Sequence, residues 1–311
     1  MGTVDREMMS RALQLAAKGR YTTAPNPAVG CVIAIDGAVI GEGYTRPAGG
    51  NHAEVEALDS SSNTSGATAY VTLEPCSHEG KTGPCADALI AAGIARVVIA
   101  CEDPNPEVAG AGIKKLQDAG IEVELGLLED QARDINKGFI KRHEHGTPWV
   151  TVKMAASLDG RTAMASGQSQ WITTPAARQD VQRLRATCCA IITGIGTQLM
   201  DDPSLTVRIT NADVGVEDPL RQPLRVVVDS QLQMSPEARM FSQPGDTLVA
   251  TLDDAAQREK ASALSAAGAE VIFLPALGEH IDLQALLVEL AGRGCNKVLV
   301  EAGAGLAGAF I

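Results

Sequence analysis

The sequence predicts two successive α/β domains, each a sheet layered with helices. Three observations carry that expectation. Segments with helical spacing of apolar residues alternate with short β-branched runs almost throughout. The 311 residues exceed what one ordinary core fills. Near the middle, HEHGTPWV interrupts the alternation with Gly146 and Pro148. The expected domains are residues 1–146 and 147–311.

From Asp5 to Arg20, Met8, Met9, Ala12, Leu13, Leu15 and Ala16 recur at helical spacing, and Gly19 offers a stop. GCVIAIDGAVIGEG is two β runs around Asp36-Gly37, a dipeptide that closes two-residue hairpins. A helix is expected from His52, then the strand ATAYVTLEP, a helix after Cys85 and the strand ARVVIAC. The helix GIKKLQDAG, the strand IEVELG and one continuous helix EDQARDINKGFIKRHE complete the first half. His143 and His145, at the boundary, read as solvated linker residues. In the second half WVTVKMAASLDG, AIITGI, LRVVVDS, DTLVATL, AEVIFLP and NKVLVEAG supply the strands. AARQDVQRLRA, AAQREKASALSAAG and DLQALLVELAGRG supply helices.

Aromatic residues make up only 3%, so Ala, Val, Ile and Leu must build the cores. A formal net charge of −12 counts against sequence-independent binding to nucleic acid or an anionic membrane, both of which need a basic surface. The N-terminus has no apolar stretch of signal-peptide length, and no run approaches membrane-spanning length. Seven cysteines, an odd number, fit a reducing compartment, so a cytoplasmic protein is expected. Cys31 and Cys101 lie in apolar strand runs; they, Cys188, Cys189 and Cys295 read as core residues.

Two cysteines are different. In EPCSHEGKTGPC, Cys76 and Cys85 each follow a proline in a polar, glycine-containing loop. Upstream, NHAEVEAL carries His52 and Glu54. A catalytic zinc takes three protein ligands, soft thiolates and imidazole among them, and leaves a fourth position open. His52, Cys76 and Cys85 supply that set, and helix N-termini beside the sulfurs would favour thiolates. Glu54 is two residues from His52, off its helical face, which suits a proton carrier between water and a leaving amine. The interval between the cysteines is C-x8-C, longer than the C-x-x-C of the general zinc-deaminase signature. Taken singly, each residue reads as an incidental cysteine or a surface histidine; the four types in this order favour the metal.

HAEVEAL, TLEPCSHEGKTGPC and DPNPEVAGAGIKKLQDAGIEV, with APNPAVGCVI, resemble the deaminase half of the bifunctional riboflavin-biosynthesis deaminase/reductase family. There the second cysteine follows at this longer interval. The resemblance covers essentially the whole chain. It implies a cytidine-deaminase-like three-layer first domain. The implied reaction is zinc-dependent hydrolytic deamination of 2,5-diamino-6-(5-phosphoribosylamino)pyrimidin-4-one, with His52, Cys76 and Cys85 on zinc and Glu54 as proton shuttle. Asn26, Asp103 and Asn105 are candidate contacts to the pyrimidine or ribose, although turn chemistry also favours Asn and Asp beside Pro. Lys81 could meet phosphate or simply be solvated.

The second half lacks the strand–GxGxxG–helix unit of a Rossmann domain. VKMAASLDGRTA, SGQSQWITTPAARQDVQRLRA, TGIGTQLMDDPSLTVR and VEAGAGLAGAF resemble the reductase half of the same family, whose fold is similar to dihydrofolate reductase. The resemblance implies hydride transfer from NADPH to ribose C1′, opening the ring to a ribityl chain. Ala155, Trp171, Thr197, Asp201 and Ser230 would line the NADPH site, with Gly303, Ala304, Gly305, Leu306, Ala307, Gly308 and Ala309 at its phosphates. Ser169, Arg185, Leu205, Arg208 and Glu301 would face substrate; the arginines could pair phosphate bidentately or be ordinary surface residues. Lys153 could serve phosphate or flank a strand. Family members continue past this match, so a C-terminally shortened reductase half with an exposed sheet edge is expected. A homodimer or larger assembly is implied as well.

Two other classes are consistent with the residues alone. One is a deaminase of a nucleoside or tRNA base carrying a non-catalytic second domain. The other is a non-enzymatic zinc-stabilised binding module, which would need a fourth protein ligand such as His78.

Overall fold

A computed structural model describes residues 2–77, 83–106, 108–166 and 169–311. His78 and Lys81 lie outside the described residues. The chain divides into two compact units, Met1–Gly146 with Gly215–Pro219, and Thr147–Val214 with Leu220–Ile311.

The first unit begins with α1 (Thr3–Gly19) and the hairpin β1 (Gly30–Ile35) and β2 (Ala38–Tyr44). Asp36 and Gly37 both adopt left-handed backbone, φ 50° and 80°, as the two-residue turn requires. Then follow α2 (Ala53–Asp59), β3 (Thr68–Val71), α3 (Cys85–Ala91), β4 (Arg96–Ile99), α4 (Ala111–Asp118) and β5 (Glu122–Leu125). The sheet order is β2-β1-β3-β4-β5, antiparallel through β3 and parallel from there to β5. Buried Val32, Ile33, Val71, Val97, Val98 and Ile99 pack with Met8, Met9, Leu13, Leu89 and Leu116 of the helices, in one aliphatic core.

The unit closes with α5 (Glu129–Ile135) and α6 (Lys137–His145), where one helix was expected. The break is Asn136, at φ −104°. Its buried side chain turns from the helix to Ala28, accepting from that N–H at 2.8 Å and donating to that carbonyl at 2.9 Å. Asparagine competes for backbone partners in this way, and the contact fixes α6 against the Pro25–Ala28 loop. Gly146 caps α6 in left-handed conformation.

The second unit contains β6 (Trp149–Lys153), α7 (Pro175–Ala186), β7 (Ala190–Gly194), α8 (Ile195–Asp201), α9 (Asn211–Val214) and β8 (Leu224–Val228). It continues with β9 (Thr247–Leu252), α10 (Ala255–Ala266), β10 (Ala269–Leu274) and the small hairpin β11 (Ala276–Leu277) and β12 (His280–Ile281). The last elements are α11 (Leu283–Gly292), β13 (Lys297–Glu301) and α12 (Ala304–Ala309). All six expected strands are present, as one parallel sheet ordered β10-β9-β8-β7-β13-β6. Near-continuous burial of β7, β8 and β13 explains their unalternating Val/Ile/Leu runs. Among the described residues no strand lies beyond β6, and Trp149 on that edge is 38% exposed. No helix among them is long and apolar enough to cross a membrane.

Two buried carboxylates tie the first unit together. Asp5, in the first turn of α1, accepts from the Gly2 N–H (2.7 Å), the Tyr70 hydroxyl (2.9 Å) and Arg96 (2.8 Å). Arg96 also bonds Glu124, so one network joins α1, β3, β4 and β5. Glu74, three residues after β3, accepts from the N–H groups of Gly112 (2.9 Å), Gly110 (3.0 Å), Ile113 (3.1 Å) and Asp103 (3.3 Å). It thereby caps the start of α4 and holds the loop that precedes it. A Cβ at Gly112 would collide with the Pro75 carbonyl, so only glycine lets α4 approach this turn.

The Arg96 guanidinium holds the Asp5 carboxyl well below the usual carboxylate range, Gly2 and Tyr70 assisting against burial. A depressed folded pKa means its stabilisation is complete above the unfolded value of about 4 and is lost as pH falls below it. Asp5→Asn should therefore lower the unfolding free energy by about 1.5–3 kcal/mol at pH 7. In urea melts, the gap from the parent chain should narrow as pH falls below about 4. Glu74→Gln places an NH2 against two N–H donors. Two unmet donors should cost about 1–3 kcal/mol each, seen as a lower denaturation midpoint with unchanged slope.

Candidate functional site

Each element around the Cys76 loop delivers one group. α2 is seated directly on β2, because a Cβ at Gly43 would strike the backbone of Ala53 and Ala57. That contact fixes the start of α2, where His52 is the N-cap residue and Glu54 lies in the first turn. β3 ends before the Glu74-Pro75-Cys76 turn, and Cys85 is the first residue of α3. The Cys85 N–H donates to the Cys76 sulfur at 3.3 Å, so a helix N-terminus does face a thiolate.

His52 Nδ1 lies 3.2 Å from Cys85 Sγ and 3.6 Å from Cys76 Sγ. The three ligand atoms all fall within 4.8 Å of one another. Tetrahedral zinc with bonds of about 2.1 Å to nitrogen and about 2.3 Å to sulfur puts such atoms roughly 3.6 Å apart. Both the spacing and the donor set fit zinc. The Cys85 thiol and the His52 imidazole, hydrogen-bonded to Cys76, lower its pKa to about 4. The same contact pushes Cys85 the other way, well up, because the two sulfurs share a proton. Contact with the Cys76 thiolate raises His52. Glu54 is 4% exposed, and burial first, then the nearby thiolate, lifts its carboxyl to about 7.

A pocket of about 430 Å³ opens over this cluster, lined in part by His52, Glu54, Cys76, Asn26, Asp103 and Asn105. The structure thus brings the three expected polar contacts to the expected metal ligands and glutamate. Asp103 is held by its own turn, Oδ1 accepting from the Asn105 N–H at 2.8 Å. Glu74 lines the same pocket and was not singled out by the sequence. Its donors come from residues about thirty to forty positions later, so no local motif advertises it. Arg142 and His143 line the pocket as well. His143 is therefore not a solvated linker residue: α6 runs through it to His145, and the Asn136 break turns this face inward. Cys31 and Cys101 are buried in the core, as expected.

In the second unit, the expected residues gather where parallel strands end. Ala155 follows β6, Thr197 follows β7, Ser230 follows β8 and Gly303 follows β13. These four strands are neighbours in the sheet, and their carboxyl ends are where such sheets bind ligands. The Gly303 N–H donates to Thr197 Oγ1 at 3.2 Å, joining two of them directly. Gly305 and Gly308 have open space where a side chain would be, whereas Ala307 is buried under α12, beside the more open Ala304, Leu306 and Ala309. This fits a cofactor lying across small residues. Asp201 at the end of α8 and Arg208 are exposed, and Ser169 is half-buried. Trp171 is 71% exposed with the Arg178 guanidinium 4.3 Å over its ring. Arg185 and Glu301 meet in a bidentate ion pair at 2.6 and 3.0 Å, Lys153 4.0 Å from the same carboxylate. The third Arg185 nitrogen donates to the Thr206 carbonyl, next to buried Leu205. Cys188, Cys189 and Cys295 are buried.

Residues 3–101 match the family described as the cytidine and deoxycytidylate deaminase zinc-binding region, and residues 148–311 match the RibD C-terminal domain. The riboflavin biosynthesis protein RibD of Escherichia coli K12 is 51% identical over 99% of this chain and 84% of its own length. The Haemophilus influenzae protein of the same name is 47% identical over 99% and 82%. The solved Acinetobacter baumannii RibD superposes with TM-score 0.88 at 45% identity, covering 99% of this chain and 83% of that one. A Thermotoga maritima structure titled diaminohydroxyphosphoribosylaminopyrimidine deaminase/5-amino-6-(5-phosphoribosylamino)uracil reductase gives 0.85 at 35% identity, over 98% and 82%. A zinc-binding deaminase region joined to a RibD C-terminal domain, over nearly the whole chain, places this protein in the RibD family of riboflavin-biosynthesis enzymes.

Proposed function

We propose that the chain catalyses two successive steps on one phosphorylated pyrimidine. The first is hydrolytic deamination of 2,5-diamino-6-(5-phosphoribosylamino)pyrimidin-4-one. The second is NADPH-dependent reduction of the ribosyl group of the product to a ribityl chain. The observation that carries the reading is the buried Glu54 carboxyl beside the His52, Cys76 and Cys85 donor set in one pocket.

His52, Cys76 and Cys85 hold the zinc, which when bound supplies a Lewis acid that makes hydroxide available near neutral pH. Burial keeps Glu54 able both to accept and to give up a proton near neutrality. It takes the proton from the attacking water and delivers it to the departing amine of the pyrimidine. Asn26, Asp103 and Asn105 orient the ring and ribose; the Glu74 bonds fix the Asp103–Asn105 turn so that this orientation costs little on binding. In the second unit, NADPH supplies the hydride. Ala155, Trp171, Thr197, Asp201, Ser230 and Gly303–Ala309 bind it along the carboxyl ends of the strands. Ser169, Arg185, Leu205, Arg208 and Glu301 face the ribose and its phosphate. The Arg185–Glu301 pair holds both side chains in one orientation for that role. The protein works as a homo-oligomer in the cytoplasm.

Cys76→Ser should lose bound zinc and deamination together, read by elemental analysis and product mass spectrometry. Glu54→Gln should keep its zinc while turnover falls by about 10²–10⁴-fold. Normal deamination by Glu54→Gln would remove the proton-transfer role. With excess NADPH, mass spectrometry of the substrate should show exchange of the amine for oxygen followed by gain of two hydrogens. Unchanged substrate with zinc-loaded, folded protein would reject the substrate; turnover of free cytidine or adenosine instead would favour a nucleoside deaminase.

A further inference from the structure

Three buried cysteines cluster in the second unit, where the segments entering β7 and β13 run side by side. Cys188 and Cys189 precede β7, and Cys295 lies two residues before β13. The Cys189 N–H donates to the Lys297 carbonyl at 2.8 Å, which holds the two segments together. Although adjacent in sequence, Cys188 and Cys189 have opposite hydrogen-bond roles. Cys188 Sγ donates to the Leu184 carbonyl at 3.3 Å, as only a protonated thiol can, and burial pushes it up to about 11. Cys189 Sγ instead receives the Asn296 N–H at 3.2 Å and the Arg221 guanidinium at 3.4 Å. An amide dipole and a cation aimed at one sulfur favour the thiolate. Cys295 adjoins Asn296, so its Cα lies within about 6 Å of the Cys189 sulfur by backbone bond lengths alone. The Cys189 and Cys295 side chains are hydrogen-bonded, which lowers the first and raises the second. Cys189 is thus the anionic sulfur and Cys295 the proton donor beside it, the arrangement of an attacking and a resolving cysteine.

We propose that Cys189, held by Asn296 and Arg221, is a hydroperoxide-reactive site, and that Cys295 resolves its oxidised form into a disulfide joining the segments that enter β7 and β13. The inference stands apart from both activities proposed above. The Cys189 thiolate attacks one peroxide oxygen, the O–O bond breaks and hydroxide leaves, so the sulfur is oxidised to a sulfenic acid and the peroxide is reduced. The Cys295 thiol then attacks the Cys189 sulfur, the S–O bond breaks and the hydroxyl departs as water with the Cys295 proton. Two thiols and one hydrogen peroxide give one disulfide and two waters. Exposures of 7% for Cys189 and 6% for Cys295 admit so small an oxidant and disfavour a bulky disulfide reagent.

The test treats the full, zinc-loaded chain with graded hydrogen peroxide, alkylates the remaining thiols and maps each cysteine by peptide mass spectrometry without reduction. Peptides carrying Cys189 and Cys295 should appear joined and two hydrogens lighter, and should separate with dithiothreitol. Cys188 should stay an alkylated thiol, with Cys189 consumed at least about tenfold faster. Cys295→Ser should strand the intermediate, so that dimedone labels Cys189, whereas Cys189→Ser should leave Cys295 unoxidised. Cys189 remaining a free thiol in the parent, reacting no faster than Cys188, or pairing with Cys188 instead of Cys295 would overturn the assignment. So would folded Cys295→Ser without a dimedone adduct. Because the parent chain alone decides the pairing, a variant that fails to fold leaves the proposal exposed to that first result.

Discussion

Four backbone N–H groups converge on the Glu74 carboxylate, and the deaminase site depends on that convergence. Two of them begin α4 and one belongs to Asp103, so a single side chain fixes both the helix and the turn preceding it. Cys76 is two residues away along the same short turn. A candidate metal ligand and the pocket-lining Asp103–Asn105 turn are thus set by one buried anion. Charge-assisted hydrogen bonds are among the stronger polar contacts in proteins, about 1.5–3 kcal/mol each, and here they offset the cost of burying the charge. Beyond the end of β3 the Glu74 N–H also donates to the Cys101 carbonyl at 3.0 Å, so the same residue ties this turn to the chain leaving β4.

Much of this architecture is legible in the sequence, for reasons that particular segments make plain. LRVVV and KVLVE read as buried strands because a parallel sheet covered on both faces requires unbroken aliphatic runs. Asp36-Gly37 reads as a turn because its backbone demands left-handed φ. His52, Glu54, Cys76 and Cys85 are legible because zinc chemistry narrows the residue types and the loop context excludes packing. What is not legible shares one property: the partner is distant in the chain. Asn136 reads as an ordinary helical residue until Ala28, more than a hundred positions earlier, offers both halves of its peptide group. Glu74, Arg142 and His143 likewise acquire meaning only from loops they meet in the fold.

The two halves build their sites by different physical routes. The deaminase site hangs from helix starts and a capped turn, where unpaired N–H groups favour thiolate and carboxylate. The proposed reductase site follows from sheet order. Interposing β13 between β7 and β6 aligns four carboxyl ends, and the residues after each strand fall together without any glycine fingerprint. The surface proposed for the dinucleotide needs no Rossmann signature: adjacent strand ends and small residues after β13 leave it open.

A protein with a formal charge of −12 that handles a phosphorylated metabolite faces an electrostatic contradiction at long range. The contradiction dissolves at short range, because exposed charges are screened over about 8 Å at physiological ionic strength while half-buried ones are not. What counts is the charge within a few ångströms of the phosphate. In the first unit two carboxylates that line the pocket are already engaged: Glu74 by backbone N–H groups and Asp103 by its own turn. Oriented N–H dipoles around such an anion soften its field at short range. The net charge counts against broad polyanion binding and leaves local recognition of a single phosphate untouched. Composition therefore constrains which partners the surface can hold, whereas the folded arrangement of a few side chains decides what the pocket can hold.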